Sequence, residues 1–187
     1  MEVPEAPETG RSLRYRDGRT VTFVAEGTDE HGPYLVIEHR VPRPALLAGP
    51  HWHPVLTEAF TVRAGRARFV CDGAEHVLTA GDRIEIPPRQ VHMFRSEGAD
   101  LVLDHVVRPP LRHREMFDLW HRLDAAGRTT ATGVPRNPLA LALMWERQDG
   151  YVAGVPAWTQ RALFGALAAV ARVTGYEARW AGPRRPG

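Results

Sequence analysis

The chain contains no lysine and only one cysteine. All 24 of its basic residues are arginine, which excludes catalysis through a lysine Schiff base. Cys71 alone can form neither an internal disulfide nor a cysteine-rich zinc site. Histidine and carboxylate groups are therefore the metal ligands that this sequence offers, and its cysteine usage suits a reducing compartment.

The sequence also lacks a secretory signal and a long apolar run. Its amino-terminal residues, MEVPEAPETG, carry acids and prolines where a signal has a basic end and an apolar core. The most apolar stretch, 162–171, falls well short of the roughly 20 residues that a membrane helix needs. We expect a cytoplasmic protein with no membrane partner, and the Lys-free, Arg-rich composition is typical of a GC-rich bacterial genome.

Charge is unevenly distributed along the chain. Residues 1–107 contain 12 arginines and 16 acidic residues, net −4, whereas 108–187 contain 12 arginines and 6 acidic residues, net +6. A basic region can attract nucleic acid, but these arginines are scattered through helical segments without a nucleic-acid-binding motif. We therefore expect no nucleic-acid partner.

The first part of the chain has the sequence pattern of a β-protein. After an acidic, proline-containing lead-in at 1–12, which we expect to be disordered, short β-branched and aromatic segments alternate with Gly, Asp-Gly or Pro signals. Strands this short and evenly spaced are typical of a sandwich or barrel. The predicted strands are 20–27, 33–41, 58–65, 66–73, 74–81, 82–88, 91–98 and 99–107.

After Pro109–Pro110 the apolar residues recur with the period of an α-helix. It predicts a helix over 111–127, a second capped by Asn137 and ending at Gly150, and a third that Pro156 opens. Together they form an extension over 111–181, followed by a Pro/Arg/Gly tail at 182–187. We expect three tryptophans to pack between the helices and the barrel: Trp120, Trp145 and Trp158.

The stretch GPHWHPVLTEAFTVRAG, residues 49–65, has the spacing of a metal site. Side chains two apart on a strand share a face, so His51 and His53 can converge on one ion, with Cα atoms roughly 6.6 Å apart. Glu58 follows at an odd spacing, so the chain must bend between them, and Pro54 lies at that bend. A further ligand must come from a distant strand, and His92 opens one just after a Pro-Pro turn.

These two regions resemble the two motifs of the cupins, over about residues 20–107. The first motif is matched at four positions, His51, His53, Glu58 and Gly65. The second is matched at Gly81, Pro87 and His92. The 15 residues between the motifs suit the inter-motif hairpin of a minimal single-domain cupin.

The resemblance implies a mainly β fold, a double-stranded β-helix or jelly-roll barrel over 13–110, followed by about three helices. It implies one divalent ion bound by His51, His53, Glu58 and His92, with Fe(II) or Mn(II) ranked ahead of Ni(II) or Zn(II). Four such ligands leave two positions of an octahedral ion open. No organic cofactor is expected.

The sequence departs from the second motif at two positions. Arg89 stands where the family usually has glycine, and Ser96 where it usually has asparagine. We therefore expect a differently shaped turn before His92, with Arg89 near the rim of a substrate pocket.

Two histidines and three phenylalanines are further candidates for the site. His39 and His105 lie on apolar strand faces, where they are either acid–base or substrate-binding groups or structural histidines. The aromatic candidates provide either an apolar pocket wall or plain core packing: Phe60, Phe69 and Phe94.

The function that these features favour is oxygen-dependent cleavage or oxidation of an aromatic or enol-type metabolite. Two alternatives stay open: metal-dependent isomerisation of a sugar or keto acid, which calls for a more polar pocket, and a non-catalytic binding or sensory cupin. A small molecule is the expected substrate. Cupins commonly dimerise, so we expect a homodimer, with the helical extension packed on the barrel or at the dimer interface.

Overall fold

The computed structural model of the protein describes residues 10–180. Contacts divide the chain into two units, Met1–Pro110 and Leu111–Gly187. The predicted lead-in up to residue 9 and the tail at 182–187 lie outside the described residues. Arg11 and Ser12, which were expected to belong to that lead-in, are part of the first strand.

The first unit is built from two antiparallel sheets. Its strands are β1 (Arg11–Arg14), β2 (Thr20–Asp29), β3 (Gly32–Val41), β4 (Ala45–Trp52), β5 (Thr57–Ala64), β6 (Arg66–Cys71), β7 (Ala74–Thr79), β8 (Arg83–Ile86), β9 (His92–Ser96) and β10 (Leu101–Arg108). One sheet has the strand order β1-β2-β3-β10-β5-β8, and the other contains β4-β9-β6-β7. The expectation of a mainly β fold is confirmed.

A hydrophobic core lies between these two sheets. It takes Phe60 and Leu103 from the first sheet and Phe69 and Phe94 from the second. Alternation of apolar residues along the strands places them on the inner faces. The turn from β5 to β6 needs Gly65, since its φ is +78° and an added Cβ would lie 2.9 Å from the Cα of Leu101.

The eight predicted strands are all present, with small differences at their ends, but β1 and β4 were not among the predicted segments. Strand β4 was hard to recognise because it contains Gly49 and Pro50 and has no clean inside–outside alternation. Its register with β9 also shifts twice, between Leu46 and Ala48 and between Ala48 and His51.

The second unit is mainly helical. It contains α1 (His113–Ala125), α2 (Pro138–Gln148), the short strand β11 (Tyr151–Val152), α3 (Ala157–Val173) and α4 (Tyr176–Trp180). The side chain of Asn137 caps α2 by accepting a hydrogen bond from the backbone N–H of Leu139 at 2.8 Å. The three predicted helices are present, and the five-residue α4 was not predicted.

The three tryptophans of this unit differ in their surroundings. Trp120 Nε1 donates to the carbonyl of Gly133 at 2.7 Å, and the Trp145 ring stacks on Phe164. The expectation of packing was wrong for Trp158, which is 75% exposed in the single chain. Within residues 10–180, no helix is both long and apolar enough to cross a membrane.

Candidate metal centre

Four buried side chains, from both sheets and from the link after β4, form one cluster. One ligand atom from each lies within 4.8 Å of all the others. His51 comes from β4 and His92 from β9, where they are direct cross-strand neighbours. Glu58 comes from β5 in the other sheet, and His53 lies just after β4. The cluster therefore joins the two sheets.

The bend between His53 and Glu58 is present, as the odd spacing required. Strand β4 ends at Trp52 and β5 begins at Thr57, with Pro54 in the link. The backbone N–H of Arg89 donates to the carbonyl of His53 at 2.7 Å. This bond fastens the link of the first motif to the turn of the second.

Backbone carbonyls orient two of the imidazoles. His51 Nδ1 lies 2.8 Å from the carbonyl oxygen of Gly49, and His92 Nδ1 lies 3.0 Å from that of Gln90. A carbonyl only accepts, so Nδ1 carries the proton in each ring. In the neutral rings the Nε2 lone pairs are then available to an ion. Sequence reasoning missed these two carbonyls, because every residue type carries the same backbone carbonyl.

Two atoms of the cluster have no hydrogen-bond partner among residues 10–180. Glu58 Oε2 lies 2.9 Å from His92 Nε2 and 3.5 Å from His53 Nε2. The 2.9 Å contact is an ion pair without hydrogen-bond geometry, and both of its atoms are buried and unsatisfied. Buried polar atoms are nearly always paired. A divalent cation bound by Nε2 and Oε2 would satisfy both atoms, so these residues fit a metal ion.

The electrostatics of the cluster also suit a cation. Burial, followed by the positive charge of His92, lowers the pKa of His51 to about 4, so this imidazole is neutral at pH 7. Burial alone would raise the pKa of Glu58, but His53, His105 and His92 outweigh it and hold the pKa well below its usual value. The cluster therefore presents an ionised carboxylate beside a neutral imidazole.

His92 behaves differently from His51. Burial would lower its pKa, but the Glu58 carboxylate outweighs burial and the pKa is raised. A bound cation would compete with the proton on this imidazole, so metal binding and proton release are coupled at His92.

The two departures from the second motif both have local explanations. Arg89 has φ +70° and an exposed side chain, so this arginine adopts a backbone conformation that favours glycine. The expected difference in the shape of this turn stays a prediction. Buried Ser96 donates from Oγ to the carbonyl of Gly98 at 2.9 Å. A position for Arg89 at a pocket rim stays a prediction.

His39 and His105 are connected to the cluster. His105 Nε2 lies 3.0 Å from Glu58 Oε1, and His105 Nδ1 lies 3.3 Å from His39 Nε2. All three side chains are buried. The position of these histidines on apolar strand faces therefore identified them as candidates for the site, but it did not predict the contact between His105 and Glu58.

The three phenylalanines belong to the hydrophobic core. Phe60 and Phe69 are 0% exposed and Phe94 is 7% exposed, with ring centroids 4.9 to 5.2 Å apart. The ring of Phe60 also stacks on His105 at 4.2 Å. They place aromatic surface next to the cluster, and their role as a pocket wall stays a prediction.

Comparison with known proteins agrees with this geometry. The family model described as "Cupin domain" matches residues 39–106, which include all four clustered side chains. The chain contains a cupin domain. The barrel of the first unit is therefore a cupin jelly roll, as the motifs implied, and it is followed by a helical unit outside the matched residues.

Several solved structures resemble this cupin at low identity. KdgF from a Halomonas species is 21% identical, with a TM-score of 0.44 over 52% of this chain and 84% of that one. An RmlC-like cupin from Shewanella frigidimarina is 19% identical, with a TM-score of 0.45 over 57% and 91%. A sugar phosphate isomerase of the cupin superfamily from Silicibacter pomeroyi is 18% identical, with a TM-score of 0.45 over 56% and 74%. Among curated proteins, no significant match is found.

Proposed function

We propose that this cupin is a metal-dependent enzyme acting on a small organic molecule. Its divalent ion is bound by His51, His53, Glu58 and His92. The observation that carries the proposal is the pair of buried atoms without hydrogen-bond partners, Glu58 Oε2 and His92 Nε2. Fe(II) or Mn(II) is the preferred ion, and Ni(II) or Zn(II) accepts the same ligands.

The proposed reaction is oxygen-dependent cleavage or oxidation of an aromatic or enol-type metabolite. A bound redox-active ion would supply the dioxygen chemistry and, with four protein ligands, would keep two octahedral positions for reactants. The chain contributes buried ligands and, beside them, the buried ring of Phe60, which stacks on His105. These apolar surroundings favour an aromatic substrate over a sugar.

The arginines near the site support this ranking. An isomerase acting on a charged sugar or keto acid needs an anion-binding group, and Arg63 and Arg89 are the candidates on the segments that carry the ligands. Arg63 is already paired with Asp104, with 3.2 Å between Nη1 and Oδ2. Arg89 is exposed and contributes its backbone N–H to His53. Isomerisation therefore ranks second.

Oxygen uptake tests the proposal directly. The purified protein is analysed for metals, then loaded anaerobically with Fe(II) and mixed with dioxygen and a panel of catechols, flavonols and 1,3-diketones. We expect stoichiometric metal, and oxygen uptake with one compound class that is lost on His92→Ala. Replacing the exposed His76 by Ala provides the matched control.

Other outcomes separate the alternatives. Stoichiometric metal without oxygen uptake would overturn the oxygenase and favour the isomerase or a non-catalytic binding protein. No bound metal would overturn the metal centre itself and leave the histidines as structural residues. The homodimer also stays a proposal, which light scattering on the purified protein tests separately.

A further inference from the structure

Three buried side chains form a hydrogen-bonded line that ends at the metal centre. His39 Nε2 lies 3.3 Å from His105 Nδ1, and His105 Nε2 lies 3.0 Å from Glu58 Oε1. The other oxygen of the same carboxylate, Oε2, faces the Nε2 atoms of His92 and His53. The two oxygens of Glu58 therefore have different neighbours.

The sheet itself builds this line. Glu58, His105 and His39 lie on the adjacent strands β5, β10 and β3. Val107 is the cross-strand partner of Glu58, and Leu103 is that of His39, so His105 lies two residues from each of these positions on β10. Each step crosses one strand and moves two residues along, which keeps all three side chains on the same face.

The negative charge of the Glu58 carboxylate decides which atoms donate in the two hydrogen bonds of His105. Ionised Glu58 only accepts, so His105 Nε2 carries the proton in the contact with Oε1. A neutral imidazole has one donor and one acceptor, which leaves His105 Nδ1 to accept from His39 Nε2. One tautomer of each ring is consistent with this line.

The ring of His105 is also held by packing. The ring of Phe60 stacks on it at 4.2 Å with an angle of 18° between the planes. Both side chains are buried, at 0% and 4% exposure. Stacking on one face and hydrogen bonds at both nitrogens fix the position of the imidazole, so its Nε2 has a defined direction toward Glu58.

We propose that His105 is a positioning residue that holds Glu58 as a ligand through one oxygen, with Oε2 directed at the ion, and that His39 orients His105. This inference rests on the proposed metal centre. While His105 occupies Oε1, Glu58 cannot bind the ion through both oxygens. A coordination position that a two-oxygen carboxylate would take stays available to a reactant.

Two amide substitutions of similar chemistry test the proposal. His105→Gln places an amide N–H near the position of imidazole Nε2 and keeps the bond to Glu58. In His105→Asn the side chain is one methylene shorter than glutamine. Its amide therefore lies near the position of imidazole Nδ1 and reaches only toward His39. Each purified apo-protein is titrated with Co(II), with affinity measured by chelator competition and coordination by visible absorption.

We expect the Gln variant to bind Co(II) with nearly unchanged affinity and spectrum. The Asn variant should bind about 10- to 100-fold more weakly, with a changed spectrum because Glu58 is free to rotate. His39→Leu should produce a smaller loss, since it acts through His105. The control is His76→Gln on the exposed part of β7, which should leave binding unchanged.

Equal affinities for the Gln and Asn variants would overturn the positioning role. A loss in both variants with an unchanged Co(II) spectrum would also overturn it, because that result indicates packing alone. Absence of Co(II) binding by the unsubstituted protein would instead overturn the metal centre. Unfolding curves of the apo-proteins establish that each variant is folded, and His105→Met replaces the Asn variant if the latter does not fold.

Discussion

The candidate metal centre in the barrel unit buries ionisable side chains that proteins usually expose, whereas helix α3 in the helical unit exposes large apolar side chains that proteins usually bury. In the barrel, His53, Glu58 and His92 are at most 4% exposed. In the helical unit, α3 leaves four large apolar residues exposed in the single chain: Trp158, Leu163, Val170 and Val173. These two regions depart from the common pattern in opposite directions.

Both departures are informative because both cost free energy. A buried polar atom without a partner is unfavourable by about 1–3 kcal/mol, which an ion at Glu58 Oε2 and His92 Nε2 would offset. Exposed apolar area costs roughly 25 cal/mol per Å², and clustered exposed apolar residues are typical of contact surfaces. The comparison separates a buried polar cluster that fits a metal ion from a helix whose large apolar residues are exposed in the single chain.

The largest expected effect is at the metal centre. His92→Ala should remove most of the bound metal, because it deletes a ligand and leaves Glu58 without its neighbour in the second sheet. Elemental analysis of the purified variant measures the loss. His76→Ala, an exposed histidine on β7, should retain the metal content of the unsubstituted protein. Full metal content in His92→Ala would contradict the four-ligand centre.

A pair of leucine substitutions tests the helical unit. Leu123 is 0% exposed and lies in the core of this unit, so Leu123→Ala should reduce the free energy of unfolding by about 2–5 kcal/mol. Leu163 on α3 is 55% exposed, and Leu163→Ala should change it by no more than about 0.5 kcal/mol. Urea unfolding compares the two. A similar cost at both positions would show that the α3 surface is covered in solution.

A smaller effect is expected at the turn before His92. Arg89 has φ +70°, which is unfavourable for a residue with a Cβ. Arg89→Gly should therefore raise the free energy of unfolding by up to about 1 kcal/mol, partly offset by the greater freedom of glycine in the unfolded chain. Gln90→Gly, at a position without positive φ, should lower it. Thermal unfolding measures both, and destabilisation by Arg89→Gly would show that the arginine side chain contributes contacts.

The smallest effect concerns acid stability of the barrel. Arg108 forms two hydrogen bonds with Asp29, at 2.8 and 2.5 Å, and this interaction lowers the pKa of Asp29 below 3.8. Because the folded-state pKa is depressed, the pair stabilises the protein above that pH, and the contribution is lost as pH falls through the folded-state pKa.

Asp29→Asn should therefore reduce stability at pH 7 and have less effect near pH 3. Urea unfolding at several pH values measures the difference, with Glu30→Gln as the exposed neighbouring control. A difference that stays constant over this range would show that ionisation of Asp29 does not contribute.

Much of the fold could be predicted because its signals are local. Alternating apolar residues and Gly or Pro turns located eight strands, and Asn137 and Pro138 located the start of α2. Strand β4 was missed because its hydrogen bonds to β9 form despite Gly49 and Pro50 in its sequence. Long-range pairing outweighed local preference there.

The packing of Trp158 was mispredicted for a related reason. Residues 162–171 of α3 are all apolar or small, so the sequence did not show which side of the helix would be buried. The chain buries Gln160, Ala168 and Ala171 instead. Gln160 is satisfied by the backbone of Val152 and Val155, which makes burial of this polar residue acceptable.

The candidate ligands and their local arrangement follow from the order of residues alone: two histidines two residues apart, a glutamate beyond a bend and a distant histidine after a turn. The contacts of the two Glu58 oxygens, with Oε2 facing the other candidate ligands and Oε1 at His105, arise only when the barrel is folded. The cause is distance along the chain. Along the chain His105 lies 47 positions from Glu58 and 66 positions from His39, and strand order and register, which depend on the whole barrel, bring these side chains together.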